Sequence, residues 1–381
     1  MFRGFVMFLM LAEAMRLWTL HTAFPESRFW SIVAYNTSHV PWQGCSLHDL
    51  IQPAFSFLVG AAMPFSLAKR QANGESFGRM LVHAIYRSVA LMLLGIFLRS
   101  LERQTTYWTF EDTLTQIGLG YTFLFLLAFA SLRTQIVVFV AILVGFWGAF
   151  ALYPLPGPDF DYTKVGVRPD WPYLYTGFLA HFNKNSNLSW AFDTWFLNLF
   201  PREKPFLFNG GGYATLSFLP TLGTMILGLI AGAWLRATGS GAWQKVRRLA
   251  VAGLVLIAAG WAADALGVCP SVKRIWTPAW TLFSGGWCLL LLAGFYAVMD
   301  AAGYQSWAFP LKVIGANSIV AYCMAHLIED FIITSFQTHL GAGVFEMLGP
   351  AYAPLLSGAT VLLVYWLILW WMYRRGVFLR I

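Results

Sequence analysis

His39-Val-Pro-Trp42-Gln-Gly44-Cys-Ser-Leu-His48-Asp49-Leu-Ile-Gln-Pro53-Ala-Phe-Ser-Phe-Leu-Val-Gly60 sets two histidines and an aspartate at the mouth of an apolar run. Ionisable groups crowded against such a run are costly unless they serve a purpose. Outward from this stretch the chain repeats the same theme of long apolar segments. Hydrophobic residues make up 58% of the 381 residues and charged residues only 11%, too little polar matter to cover the surface of a soluble domain of this length. Segments near the ~20 residues that cross a bilayer recur at roughly 2–20, 50–68, 83–100, 114–131, 134–153, 214–235, 248–267, 278–299, 310–336 and 351–373. The expectation is an all-α polytopic membrane protein with about ten transmembrane helices, forming a single membrane domain.

Lys and Arg near span ends are retained on the cytoplasmic side. With an even number of spans and both termini inside, Arg3, Arg79, Arg133, Arg236, Lys245, Arg247, Arg248, Lys312, Arg374, Arg375 and Arg380 fall inside, as do Lys69, Arg70 and Arg87. Only Arg16, Arg28, Arg99, Arg103, Lys273 and Arg274 fall in short outer segments. Both termini are therefore expected in the cytoplasm, and the net charge of +8 reads as topology, with no nucleic-acid partner implied. The first apolar run begins at the second residue without a small-residue cleavage site, so no cleavable signal peptide is expected.

The four cysteines, Cys45, Cys269, Cys288 and Cys323, lack metal-ligand spacing, and no metal is expected. Cys45 and Cys269 would both face outward, which allows a disulfide in an oxidising compartment. The long polar interruption at 154–213 is the main extracytoplasmic loop. Pro154, Pro156 and Pro158 open it and forbid helix continuation. Asn209-Gly210-Gly211-Gly212 closes it as a turn able to take positive φ. Trp171, Tyr173, Tyr175, Trp190 and Trp195 beside Asp193 suit a carbohydrate, whose C–H faces stack on rings while its polar groups seek a carboxylate. An interfacial aromatic belt explains the same composition.

Among groups able to do chemistry, His39 stands first, because an imidazole can take a proton from an attacking amine or hydroxyl and return one to a leaving group. A loop histidine held by a backbone carbonyl is the plainer reading. Asp49 either orients His39 or binds a cationic amine, or else serves as a first-turn residue favoured by the helix dipole. Glu13 and Arg16, three apart, would share one helix face and bridge within the bundle or touch substrate. His326, Glu329 and Asp330, following Asn317, form a second polar group whose spacing again places His326 and Glu329 on one face; such groups line a cavity or find a partner. Lys69, Arg70, Arg79 and Arg87 suit the phosphates of a nucleotide-bearing donor, as does simple retention on the inner side. No phosphate-binding glycine motif appears, and the glycines within apolar runs read as helix-packing positions.

Taken together, these segments resemble a known family. Phe2-Arg3-Gly4-Phe5, the pattern His39, Trp42, Gly44, Asp49, Leu50, Pro53, Phe55, Phe57 and Gly60, the stretch Thr215 through Pro220 to Gly232, Trp276-Thr277-Pro278-Ala279-Trp280 and Gly315-Ala316-Asn317-Ser318-Ile319 are similar to the heparan-α-glucosaminide N-acetyltransferase-like membrane acyltransferases and their bacterial relatives. Asn209-Gly210-Gly211-Gly212 stands where those relatives often carry Asp-Pro-Glu-Gly. The resemblance implies transfer of an acetyl group from cytoplasmic acetyl-CoA to the amine or hydroxyl of an amino sugar or glycan across the bilayer. His39 would be the catalytic residue with Asp49 assisting. Trp42, His48, Asn317, His326 and Glu329 would meet the acceptor, and Lys69, Arg70, Arg87, Lys273 and Trp276 the acetyl-CoA. A bacterial inner membrane is the expected location, and pairing of two copies is left open. A sugar transporter or permease of the same topology is the competing expectation, since a many-span bundle with polar groups at mid-depth also suits a carrier.

Overall fold

The structure, a computed structural model, describes residues 1–379; Arg380 lies outside the described residues. In chain order its α-helices are α1 (Phe2–Leu11), α2 (Thr19–Ala23), α3 (Arg28–Asn36), α4 (Ile51–Ala72), α5 (Phe77–Arg99), α6 (Thr113–Leu127), α7 (Leu132–Leu152), α8 (Leu188–Phe196), α9 (Phe218–Arg236), α10 (Ala242–Ala265), α11 (Pro278–Tyr296), α12 (Phe309–Ala316), α13 (Ser318–Leu327), α14 (Glu329–Leu340) and α15 (Ala353–Arg375). Among the described residues there is no strand, only one antiparallel bridge between Gln43 and Val272. Helices satisfy every backbone donor and acceptor within their own segment, which hydrocarbon demands of a lone span.

Seven helical segments, containing α4, α5, α7, α9, α10, α11 and α15, are long and apolar enough to cross a membrane, and the bent pair α12–α13 brings the number to eight if it is one span. The chain is therefore a polytopic helical membrane protein. Three of the expected runs take other forms. The first stops at Leu11, continues as a 3₁₀ turn over Ala12–Met15 and ends where Arg16 takes a φ of 46°, so no helix runs from residue 2 to residue 20. The run near 114–131 is the 15-residue α6, about 22 Å long at ~1.5 Å per residue. The run near 310–336 is broken at Asn317, where α12 and α13 meet at 68°, and again at Ile328.

The chain divides into two compact units. The first comprises Met1–Pro41, Cys45–Ala54 and the chain from Gly294 onward. In it α1 lies against α12 so closely that a Cβ at Gly4 would stand 1.8 Å from the Leu311 carbonyl oxygen. Gly358 of α15 meets the Ala14 carbonyl oxygen in the same way, at 2.1 Å. Helices in lipid gain little from burying apolar surface against one another, so close backbone approach at small residues holds them together.

The second unit comprises Trp42–Gly44 and Phe55–Ala293. Here α4 and α9 interlock: a Cβ at Gly60 would stand 1.9 Å from the Met225 carbonyl oxygen, and one at Gly228 the same distance from that of Phe57. Phe57 meets Gly228 and, one turn further on along both helices, Ala61 meets Gly232, so α4 and α9 run in the same direction. The segment 154–213 packs on this unit through a core of Trp42, Phe146, Phe150, Phe182, Cys269, Val272, Ile275 and Ala279. Gly212 takes a φ of 80°, and its N–H closes the turn onto the Asn209 carbonyl oxygen at 2.9 Å. Each of the four cysteines is a thiol, so the disulfide allowed between Cys45 and Cys269 is not formed. Burial pushes the Cys269 thiol up to about 12.

Candidate active site

The loop that carries His39 is stitched to the helix before it. Ser27 caps α3 by accepting from the Trp30 N–H at 3.4 Å. At the other end the Tyr35 hydroxyl donates to the Cys45 carbonyl oxygen at 3.0 Å, and the Leu47 N–H donates to Asn36 Oδ1 at 3.3 Å. These bonds bring the chain back on itself before α4 begins. They place His39 over the 3₁₀ turn His48–Leu50 that leads into the span.

His39 Nδ1 and Asp49 Oδ1 are 2.8 Å apart. The other carboxylate oxygen, Oδ2, accepts from the Val40 N–H at 3.2 Å and the Ser46 N–H at 3.1 Å, with Ser46 Oγ 3.0 Å away. The Asp49 N–H in turn donates to Ser46 Oγ at 3.2 Å. Ser46 and Asp49 therefore cap the start of the span reciprocally, as Ser-x-x-Glu pairs do at helix N-termini. The cap has a second effect: it fixes a fully buried carboxylate, 0% exposed, beside a half-open imidazole whose side chain is 37% exposed. A carboxylate accepts only, so the shared proton sits on Nδ1 and Nε2 is the basic nitrogen. This is the orientation in which an imidazole acts as general base, with an acid group holding its far side.

His48 lies beside His39, ring centroids 4.4 Å apart, and its Nε2 stands 3.6 Å from Glu13 Oε2. Glu13 and Arg16 do not pair as their spacing suggested. The positive φ at Arg16 ends the turn, and Arg16 Nη2 reaches Glu329 Oε1 instead, at 3.4 Å. The expected shared face of His326 and Glu329 is also lost, because Ile328 breaks the chain between α13 and α14. His326 Nδ1 is 3.0 Å from the Tyr322 carbonyl oxygen and its ring stacks on that of Tyr322. Asn317 is fully buried and ties down the C-terminal segment: its Nδ2 donates to the Val377 carbonyl oxygen at 2.9 Å and its Oδ1 accepts from the Leu379 N–H at 3.1 Å. The first unit thus gathers His39, Asp49, His48 and Glu13, while Glu329 joins Arg16, and Asn317 and His326 hold backbone.

In the second unit, Trp42 is fully buried and meets Trp171 edge-on at 6.5 Å, a core position. Four of the five residues expected to meet acetyl-CoA stand at two ends of the unit, and Arg87 lies midway along α5. Trp276 Nε1 donates to Thr224 Oγ1 at 3.2 Å, near the start of α9, and Lys273 is buried nearby in sequence at 4% exposure. Lys69 and Arg70 close α4, alongside the far end of α9, about 18 Å away at ~1.5 Å per residue. Arg70 pairs with Glu75 at 2.8 Å. Arg87 donates to the Tyr121 hydroxyl at 3.0 Å and lies over its ring.

Asp193, read beside the loop aromatics as a sugar-binding carboxylate, points inward. It is 1% exposed, and Oδ2 accepts from the Thr215 N–H at 2.9 Å. Burial raises its pKa from 3.8 to about 7, and the nearby Glu111, itself raised by burial, adds to the shift. Asn183-Lys184-Asn185-Ser186-Asn187 is buried throughout, which the sequence reading passed over. The asparagines serve as backbone partners: Asn183 bonds both the N–H and the carbonyl of Tyr175, Asn185 donates to the Val165 and Asn209 carbonyl oxygens, and Asn187 caps α8. Gln43 likewise joins Asp264 at 2.7 Å to the Tyr175 hydroxyl at 2.9 Å. Ser46 had a visible signal, the Ser-x-x-Asp spacing ahead of an apolar run; the buried asparagines had none, since composition alone marks them as loop.

Among the described residues no group of three or more His, Cys, Asp or Glu is placed to hold a metal ion. Compared with protein-family models and with curated proteins, the sequence matches none.

Proposed function

We propose that this chain is a membrane acyltransferase that moves an acetyl group from acetyl-CoA to the amine or hydroxyl of an amino sugar or glycan. The observation that carries this reading is the His39–Asp49 pair, 2.8 Å apart, with its carboxylate held by the cap at the head of a spanning helix. In the reaction the acceptor nitrogen or oxygen bonds the thioester carbonyl carbon, and His39 Nε2 takes the acceptor's proton as that bond forms. The C–S bond then breaks, and the proton passes from the imidazolium to the departing thiolate. Asp49 keeps the Nδ1 proton in place throughout. Lys69 and Arg70 would attract the donor's phosphates, and Lys273 with Trp276 would serve the other end of an extended donor. Acetyl-CoA is made in the cytoplasm and is too polar to cross; the basic span ends favour a donor on the inner side, with the acceptor and the 154–213 segment outside, and both termini inside if α12–α13 counts as an eighth span. The resemblance to bacterial relatives favours an inner membrane as its location.

Incubating the purified protein with acetyl-CoA and a panel of glucosamine-terminated glycans, followed by mass spectrometry, should show the gain of one acetyl unit. His39→Ala should abolish that gain without altering membrane insertion; turnover retained in the variant would remove the assignment. One observation favours a carrier for the same sugar, the bend of 68° between α12 and α13, because broken helices shape the sites of many secondary transporters. Uptake of labelled sugar into vesicles with no acetylation would select that function instead.

A further inference from the structure

Arg236 ends α9 and Lys245, Arg247 and Arg248 lie in the first two turns of α10, and no Asp or Glu occurs between Glu203 and Asp264. Among the described residues none of these four cations pairs with a carboxylate within 4.0 Å. Retention of charge at the inner side accounts for basic residues here, but it does not account for a cavity. A groove of about 540 Å³ opens between the last turn of α9 and the first turns of α10, walled by Trp234, Ser240, Gln244, Lys245, Arg247 and Arg248. Lys245 is pinned by donating to the Leu235 carbonyl oxygen at 2.7 Å, and the Arg248 guanidinium lies 5.6 Å over the Trp234 ring. The floor changes character to Val251 and Ala252. From there an apolar strip runs down α10 through Val251, Leu254 and Val255, three and four residues apart, to Trp261, two turns beyond Leu254, all more than half exposed on one broad helix face. Only 17% of the most apolar stretch of this helix is buried.

We propose that this groove binds the phosphate headgroup of an anionic glycerophospholipid, whose acyl chains lie along the apolar strip of α10. Arginine forks and an ammonium match phosphate oxygens, and basic pockets at span ends bind anionic headgroups in this manner. A free phosphate would use the charges alone; a lipid uses the charges and sets its acyl chains on the strip, which faces hydrocarbon in a membrane-crossing helix. The site stands independently of the acyl-transfer reading.

The test is native mass spectrometry of the full-length protein in detergent, offered phosphatidylglycerol or phosphatidylcholine. Wild-type protein should retain phosphatidylglycerol in preference. The double substitution R247Q/R248Q should reduce that retention by about tenfold or more, and each single substitution, at an exposed side chain, should give part of the loss. Equal retention of the two lipids overturns the proposal, as does displacement of phosphatidylglycerol by inorganic phosphate at matched concentration. So does an equal loss in Arg133→Gln, which removes a basic residue at another span end.

Discussion

At position 49 a carboxylate and an amide have nearly the same shape, yet only the carboxylate accepts at both ends. Asp49→Asn keeps the volume and the contacts of the cap, but its NH₂ group would face either His39 Nδ1 or the donors from Val40 and Ser46. Facing His39, it moves the imidazole proton to Nε2 and removes the base. Acetyl transfer should then fall by about 10²–10⁴-fold, with melting temperature changed far less than activity; an Asn variant at wild-type rate would show that His39 needs no orienting acid. Asp193 makes the opposite case, a carboxylate that matters for stability. Its folded pKa of about 7 lies above the ordinary 3.8, so the folded state binds the proton more tightly. That contribution is fully present below about 3.8 and is lost as pH rises through about 7. The melting temperature should therefore decline across this window in the wild type and decline less in Asp193→Asn; parallel curves would exclude burial of this acid as the cause. His39 and Asp49 could be singled out from sequence because both titrate and both precede a span. Their geometry could not, since it depends on how Ser46 closes the loop. Glu13 and Arg16 misled for a related reason: the facing rule assumes a continuous helix, and a single positive φ at Arg16 cancels it.

The same limit governs whole elements. Hydropathy marks a run as apolar without recording whether its backbone is continuous, so α4, α5, α7, α9, α10, α11 and α15 were legible as spans. The turn at Ala12–Met15 and the bend at Asn317 were not. Glycines within apolar runs were legible as packing positions, but their partners are tertiary facts. Gly228 faces the Phe57 carbonyl oxygen at 1.9 Å from its would-be Cβ, whereas a Cβ on Gly145 of α7 meets nothing within 4 Å. Gly228→Val must therefore push α4 and α9 apart, at a cost of about 1–3 kcal/mol or more, whereas Gly145→Ala should be neutral or gain up to about 1 kcal/mol from helix propensity. Thermal denaturation in detergent separates the two. If both substitutions shifted the midpoint alike, the close α4–α9 contact would not be what holds these spans.

For the molecule as a whole, the question is which ends of the spans face the cytoplasm. The basic residues after α4 and between α9 and α10 fall at the same end of their two helices, because α4 and α9 run the same way. The segment 154–213, by contrast, follows the opposite end of that bundle, since it leads directly into the start of α9. Its exposed charges are Asp159, Asp161, Lys164, Arg168, Asp170, Glu203 and Lys204, four acidic and three basic, a near balance that exerts little bias of its own. By positive-inside retention the α9–α10 turn is expected in the cytoplasm and the 154–213 segment outside. A single cysteine introduced as Asp159→Cys should react in intact cells with a membrane-impermeant maleimide, whereas Thr238→Cys should react only after the membrane is opened. Both positions are exposed, so burial does not confound the comparison. The reversed pattern would invert the bundle and put the 154–213 segment on the acetyl-CoA side. It would also leave the anionic-lipid groove facing the outer leaflet, so that the lipid preference of Arg247 and Arg248 would be measured correctly in detergent yet have its occupant supplied by the other half of the bilayer.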